Sequence, residues 1–111
     1  MNTNYEETAG GNKVNTSQEI SETKNVDDLK IEQGKLVYEN GTSKLTSKVT
    51  NNGESRENLI FDVKFIANDG TVIATSKGLV GDIKANEVKY IESNITLDVV
   101  GAKDVVYEVV K

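Results

Sequence analysis

The chain has 111 residues and contains no cysteine, no histidine, no proline and no tryptophan. Without cysteine it can form neither a disulfide nor a thiolate metal site, so its redox compartment cannot be inferred from its sequence. Without histidine it lacks the commonest metal ligand and the side chain that most often shuttles protons near neutral pH. Nucleophilic catalysis would then depend on a serine activated by a lysine.

Neighbouring serine and lysine residues occur at Ser43-Lys44, Ser47-Lys48 and Ser76-Lys77. All three pairs fall in segments with the alternation of β-strands, where adjacent side chains point to opposite faces and cannot meet. We therefore expect a protein that is not an enzyme, with no catalytic residue, no metal ligand and no cofactor.

The net charge of −5 argues against a nucleic-acid partner, because phosphate binding needs clustered lysine and arginine. No apolar run approaches the ~20 residues of a transmembrane helix. No basic and hydrophobic signal segment opens the chain. Contact with a membrane would therefore need an anchor upstream of residue 1.

The first 28 residues are poor in apolar side chains and rich in acid. They hold six carboxylates against two lysines, and their substantial apolar side chains are Tyr5, Val14, Ile20 and Val26. Burying so little apolar surface cannot offset an ordering cost of about 1–2 kcal/mol per residue. The composition predicts a disordered acidic linker over residues 1–28 and a folded domain over residues 29–111.

Residues 29–111 alternate between apolar and polar side chains in short runs, with turn residues at intervals of roughly 8–12 residues. The predicted strands are Leu29–Tyr38 with a bulge at Gly34, Lys44–Thr50, Asn58–Asn68, Thr71–Ser76, Glu87–Thr96 and Asp104–Val110. The strand from Asn58 has one fully apolar face and is placed at the centre of a sheet. The fold class predicted is all-β, an immunoglobulin-like antiparallel β-sandwich of six to seven strands with a disordered N-terminal tail.

Two carboxylates stand out among these segments. Asp62 lies in mid-strand, and we expect an outer-face ion pair with Lys64 or Lys48 rather than an acid–base role. Asp69 precedes Gly70, and we expect a hairpin turn there rather than a calcium loop, since no further carboxylate follows before Asp82.

The tyrosines differ in their predicted positions. Tyr90 and Tyr107 fall on the pattern of inward-facing residues and are predicted to lie in the core. Tyr38 ends a strand beside a turn, and it is our candidate for a partner contact.

Several of these segments together resemble a known family. They are Val49-Thr50-Asn51-Asn52, the run from Leu59 to Phe65, Asn68-Asp69-Gly70, and Asn86-Glu87 ahead of Tyr90. The chain from Lys44 to Tyr107 resembles the bacterial FxLYD-type domains and related small immunoglobulin-like lipoprotein domains. At the position of the name-giving Phe-x-Leu-Tyr-Asp this chain has Val63-Lys64-Phe65-Ile66-Ala67.

The resemblance implies an extracytoplasmic module at the cell surface, the soluble part of a bacterial lipoprotein, with residues 1–28 spacing the domain from the membrane. Its membrane contact would be made only through an upstream anchor. The partner would be another protein or a component of the cell envelope, bound by the loops Asn51–Arg56 and Gly78–Asp82 or by a free edge strand. We expect a monomer. The alternative is a small-molecule or carbohydrate-binding domain.

Overall fold

A computed structural model describes residues 4–111, and 62% of the chain is strand and 6% helix. A 3₁₀ turn at Ala9–Gly11 and a short helix α1, Gln18–Ser21, lie near the N-terminus. The strands are β1 (Tyr5–Glu7), β2 (Lys13–Asn15), β3 (Lys24–Val26), β4 (Leu29–Glu39), β5 (Thr42–Asn51), β6 (Arg56–Ile66), β7 (Val72–Ile83), β8 (Val88–Ile95) and β9 (Asp104–Val109).

The strands form one antiparallel sheet in the order β1-β2-β4-β5-β8-β7-β6-β9, with β3 also paired to β4. Long ladders join β4 to β5, β5 to β8 and β6 to β7, whereas β7 and β8 meet at the single pair Leu79–Glu92. The sheet curls there into a half-barrel. The predicted all-β, antiparallel class is confirmed, and its form is a curled sheet.

Local turn chemistry sets the register of the first long strands. The ladder between β4 and β5 shifts between Glu32 and Lys35, which confirms the predicted irregularity at Gly34. The connection between β4 and β5 is Asn40-Gly41, and both residues have positive φ angles, 51° and 77°. Such angles are what a tight hairpin turn requires.

The core lies on the concave side of the curled sheet. The central position of β6 is confirmed, because β7 pairs with one of its edges and β9 with the other. Gly78 of β7 lets the sheet pack closely, since a Cβ atom there would lie 2.7 Å from Cγ2 of Ile91. The buried apolar side chains of the central strands are Leu45, Val49, Leu59, Phe61, Val63, Phe65, Ile91, Val105 and Tyr107.

The segment Gly78–Asp82, predicted to be an exposed loop crossing between two sheets, is a continuous part of β7. Its glycines do not break the strand: Gly78 is packed in the core, and Gly81, with φ of 84°, coincides with a shift in the β6–β7 register. The prediction of a crossing was therefore wrong, because these two glycines serve close packing and a bulge rather than a turn.

Residues 4–28 differ from the disordered linker that composition predicts. Strands β2 and β3 pair with β4, β1 pairs with β2, and the side chain of Ile20 in α1 is only 3% exposed. Backbone pairing to β4 supplies hydrogen bonds that do not depend on apolar content, which a composition argument does not count. Residues 1–3 of the predicted linker lie outside the described residues.

Candidate interaction surface

Residues 4–28, which we call the N-terminal strap, contact the loop between β8 and β9. The side-chain amide of Asn15 donates to the carbonyl oxygens of Val100 at 2.6 Å and Ala102 at 2.7 Å. Asn4 donates to the carbonyl of Gly101 at 3.0 Å. Both α1 and β3 contact β4 and also β9. The strap therefore covers the side of the half-barrel that lies between these two strands.

Ion pairs accompany these contacts. Both lysines of the strap pair with aspartates beyond β8: Lys13 with Asp98 at 2.7 Å and Lys24 with Asp104 at 3.2 Å. The hydrogen bond from Asp98 raises the pKa of Lys13 above its ordinary value. Surface pairs of this kind contribute little each, so they orient the strap more than they hold it.

Tyr38, the candidate partner contact, is half-buried beneath the strap. It is paired with Lys13 in the β2–β4 ladder, and the ammonium of Lys13 lies 5.5 Å from the centroid of its ring. The same ammonium lies 5.1 Å from the ring of Tyr5. The structure thus places Tyr38 in an internal cation–π contact between strap and sheet.

The carboxylates singled out in the sequence have local partners. Asp62 forms an ion pair with Lys77 at 2.5 Å, its cross-strand neighbour in β7. The predicted ion pair is confirmed, but Lys64 is paired instead with Glu108 at 2.8 Å. At the β6–β7 turn, Thr71 donates its N–H and its hydroxyl to Asp69, and these bonds lower the pKa of that carboxyl. The predicted hairpin turn is confirmed.

A pair of hydroxyl groups occupies the core. Ser47 of β5 and Tyr107 of β9 lie 2.5 Å apart, and burial raises the pKa of the Tyr107 phenol to about 12. Across residues 4–111, every fully buried side-chain nitrogen or oxygen has a hydrogen-bond partner. The serine hydroxyl is therefore engaged by a phenol and not by a base that could activate it.

The loop Asn51–Arg56 is braced from within. Asn51 is buried and donates its side-chain amide to the carbonyl of Glu54 at 2.8 Å, while its amide oxygen accepts the N–H of Gly53 at 2.9 Å. Its backbone N–H also donates to the carbonyl of Glu87. The loop presents Glu54 and Ser55 to solvent from a fixed base.

The largest exposed apolar side chains lie where β7 and β8 meet. Tyr90 is 67% exposed, Leu79 is 64% exposed, and Val88 is also exposed on the same face of β8 as Tyr90. We call these three residues the β7–β8 ridge. The prediction that Tyr90 lies in the core was wrong, because Ile91 and Ser93 take the inward positions; the same prediction for Tyr107 is confirmed.

A signal for the ridge was present in the sequence. Ile91, Ser93 and Ile95 alternate along β8, and this alternation places Tyr90 on the opposite face. The alternation competes with Val88 and Tyr90, which form an equally apolar set. Only pairing with β5, where Ser47 opposes Ile91 and Lys48 opposes Tyr90, separates the two faces.

Within residues 4–111, no three side chains of the types that bind metal ions converge. No helix in this part of the chain is both long and apolar enough to cross a bilayer. Comparison with protein-family models, with curated proteins and with solved structures returns no match to the chain.

Proposed function

We propose that the chain is a non-enzymatic, extracytoplasmic module, the soluble part of a bacterial lipoprotein, that acts by contact with another protein or a cell-envelope component. Its half-barrel would then be a variant of the immunoglobulin-like sandwich of the FxLYD-type domains that the sequence resembles. The observation that carries the binding role is the β7–β8 ridge, since large exposed apolar groups placed together indicate contact surfaces.

The surroundings of the ridge suit a protein partner. Tyr90 lies opposite Lys48, and Leu79 lies opposite Glu92, so an aromatic and an aliphatic side chain are bordered by charges of both signs. Interfaces combine such apolar anchors with a polar rim, and tyrosine is frequent among the residues that dominate binding energy.

Site-specific crosslinking in the native cell tests this role. A photoreactive amino acid at position 90 should give a discrete crosslinked species containing a second envelope protein, whereas the same group at Thr46, on the outer face of the central strand β5, should not. Equal crosslinking from both positions would show that the ridge is not a specific contact.

Mass spectrometry of the native protein tests the proposed location. A lipid-modified cysteine upstream of the present residue 1, together with recovery in the membrane fraction, would support it. Recovery of an unlipidated protein in the cytoplasmic fraction would refute it.

A carbohydrate-binding role is the second candidate, favoured by one observation. The exposed ring of Tyr90 lies beside the hydrogen-bonding side chain of Lys48, and stacking on an aromatic ring with polar groups at its border is a means of holding a sugar. Amide chemical shifts that change around Tyr90 on titration with glycans, and not in a Tyr90→Ser variant, would support this role.

A further inference from the structure

The first half of β7 has one paired edge and one free edge. β6 pairs with β7 from Arg56–Ile83 to Ile66–Val72, but β8 meets it only at Leu79. Across residues 4–111, no strand pairs with the other edge of β7 between residues 72 and 77.

The hydrogen-bond pattern shows which backbone groups this edge presents. The N–H of Val110 donates to the carbonyl of Ile60, so even-numbered residues of β6 direct their backbone groups to β9 and odd-numbered ones to β7. By the register, Ala74 and Ser76 bond to β6, while Ile73 and Thr75 direct theirs away from the sheet. The carbonyl of Lys77 also points away and accepts the Ser93 hydroxyl at 2.8 Å.

The side chains along this edge do not protect it. Residues 71–75, Thr-Val-Ile-Ala-Thr, contain no charge, glycine or proline, and Val72 and Ile73 are 52% and 46% exposed. Native edge strands are usually blunted by charges, proline, bulges or a covering element. Here the first charged side chain is that of Lys77, at the point where β8 approaches.

The other edges of the sheet differ from this one. The centre and end of β1 are Glu6 and Glu7, whose charges would repel the same strand of a second molecule. The edge of β9 is approached by α1 and β3, and Lys24 of β3 pairs with Asp104. The edge of β7 is thus long, uncharged and open at once.

We propose that this edge pairs with the same edge of a second copy of the chain, in place of the monomer expected from the sequence. In an antiparallel pairing about a two-fold axis at Ala74, Ile73 lies opposite Thr75 of the second copy. Both residues direct their backbone groups outward, so the two symmetric pairs form about four backbone hydrogen bonds. The sheet then continues through both molecules in the order β9-β6-β7-β7-β6-β9.

Charge and size define the kind of association. In this register Lys77 lies opposite Thr71 of the second copy, so no like charges meet. A contact along one short strand belongs to the small, transient class of interfaces, below about 1,200 Å². The dimer should therefore form reversibly with concentration, independently of any partner bound at the β7–β8 ridge.

Sedimentation and hydrogen exchange on the full chain test the proposal. Between about 10 μM and about 1 mM the weight-average mass should rise toward that of a dimer, and the amides of Ile73 and Thr75 should become protected as it does. Thr75→Lys should abolish both effects by placing charges on both sides of the pairing. The matched change Thr46→Lys, on a strand with neighbours on both sides, should leave them intact.

Other results would overturn the proposal. A constant monomer mass over this range would do so, as would dimerisation that Thr75→Lys leaves unchanged. Dimerisation that is instead lost in Tyr90→Ser would assign the contact to the ridge. Thr75→Pro removes an outward N–H without a charge, so it should reproduce the loss if backbone pairing is the cause.

Discussion

The hydroxyl groups of Ser47 and Tyr107 join two strands that are not neighbours in the sheet, β5 and β9, through the core. Removing one group leaves the other buried without this partner, at a cost of about 1–3 kcal/mol. Tyr107→Phe and Ser47→Ala should each lower the free energy of unfolding by an amount in this range. The double variant should lose less than the sum, as urea unfolding can measure.

A control separates this coupling from loss of packing. Ser93→Ala removes a buried hydroxyl that bonds to Ser76 and the Lys77 carbonyl, away from Tyr107. Its cost should add to that of Tyr107→Phe. Additive costs for Ser47→Ala and Tyr107→Phe would contradict a coupled pair.

The pH dependence of stability follows from the same phenol. Its pKa is about 12 in the folded protein against 10.0 for free tyrosine, so the unfolded chain loses this proton first. The contribution is fully present below pH 10 and is lost as pH rises from 10 to 12. We expect alkaline unfolding curves to fall more steeply for the wild type than for Tyr107→Phe, and absorbance titration to lose its latest tyrosinate step in that variant.

The residue predictions from sequence succeeded where chemistry is local. The turns at Asn40-Gly41 and Asn68-Asp69-Gly70 are set by their own backbone preferences, and both are present. Tyr90 was misplaced because its strand has apolar side chains on both faces, so periodicity alone does not choose which one is buried. The cross-strand register with β5 makes that choice, and it is a tertiary property.

Among the elements, the strap is the one whose attachment to the sheet depends on a single small residue. A Cβ atom at Gly34 of β4 would overlap the carbonyl oxygen of Ile20, which is backbone and cannot move aside cheaply. Gly34→Ala should therefore lower the free energy of unfolding by about 1–3 kcal/mol. It should also speed tryptic cleavage after Lys13 and Lys24, two sites within the strap.

The matched control is Gly101→Ala. A Cβ atom there would lie 3.6 Å from the ring of Tyr5, an ordinary contact, so stability and cleavage rate should change little. Unchanged cleavage in Gly34→Ala would show that the strap does not depend on this close approach.

The long strands could be predicted from alternation, while two elements could not. β7 is continuous although it contains Gly78 and Gly81, because the core and the β6 register accommodate each glycine in a strand. The strap escaped prediction because its partners are remote: Asn15 bonds to carbonyls about 85 residues further along the chain. Composition counts apolar side chains, and it does not count hydrogen bonds to backbone groups of another segment.

At the scale of the whole molecule, the strap makes the chain one folded unit. Full burial of an isoleucine side chain such as Ile20 contributes about 1.5–3 kcal/mol, and the ladders of β2 and β3 add backbone hydrogen bonds to β4. With the β4 edge covered in this way, the free edge of β7 and the β7–β8 ridge remain as the surfaces open to other molecules.

Hydrogen exchange resolved to single amides in the full chain tests this unity most directly. At neutral pH and low protein concentration, the paired amides of residues 13–15 and 24–26 should be protected together with those of β5. Random-coil exchange rates throughout residues 5–28, with β5 still protected, would contradict the account and restore a disordered linker.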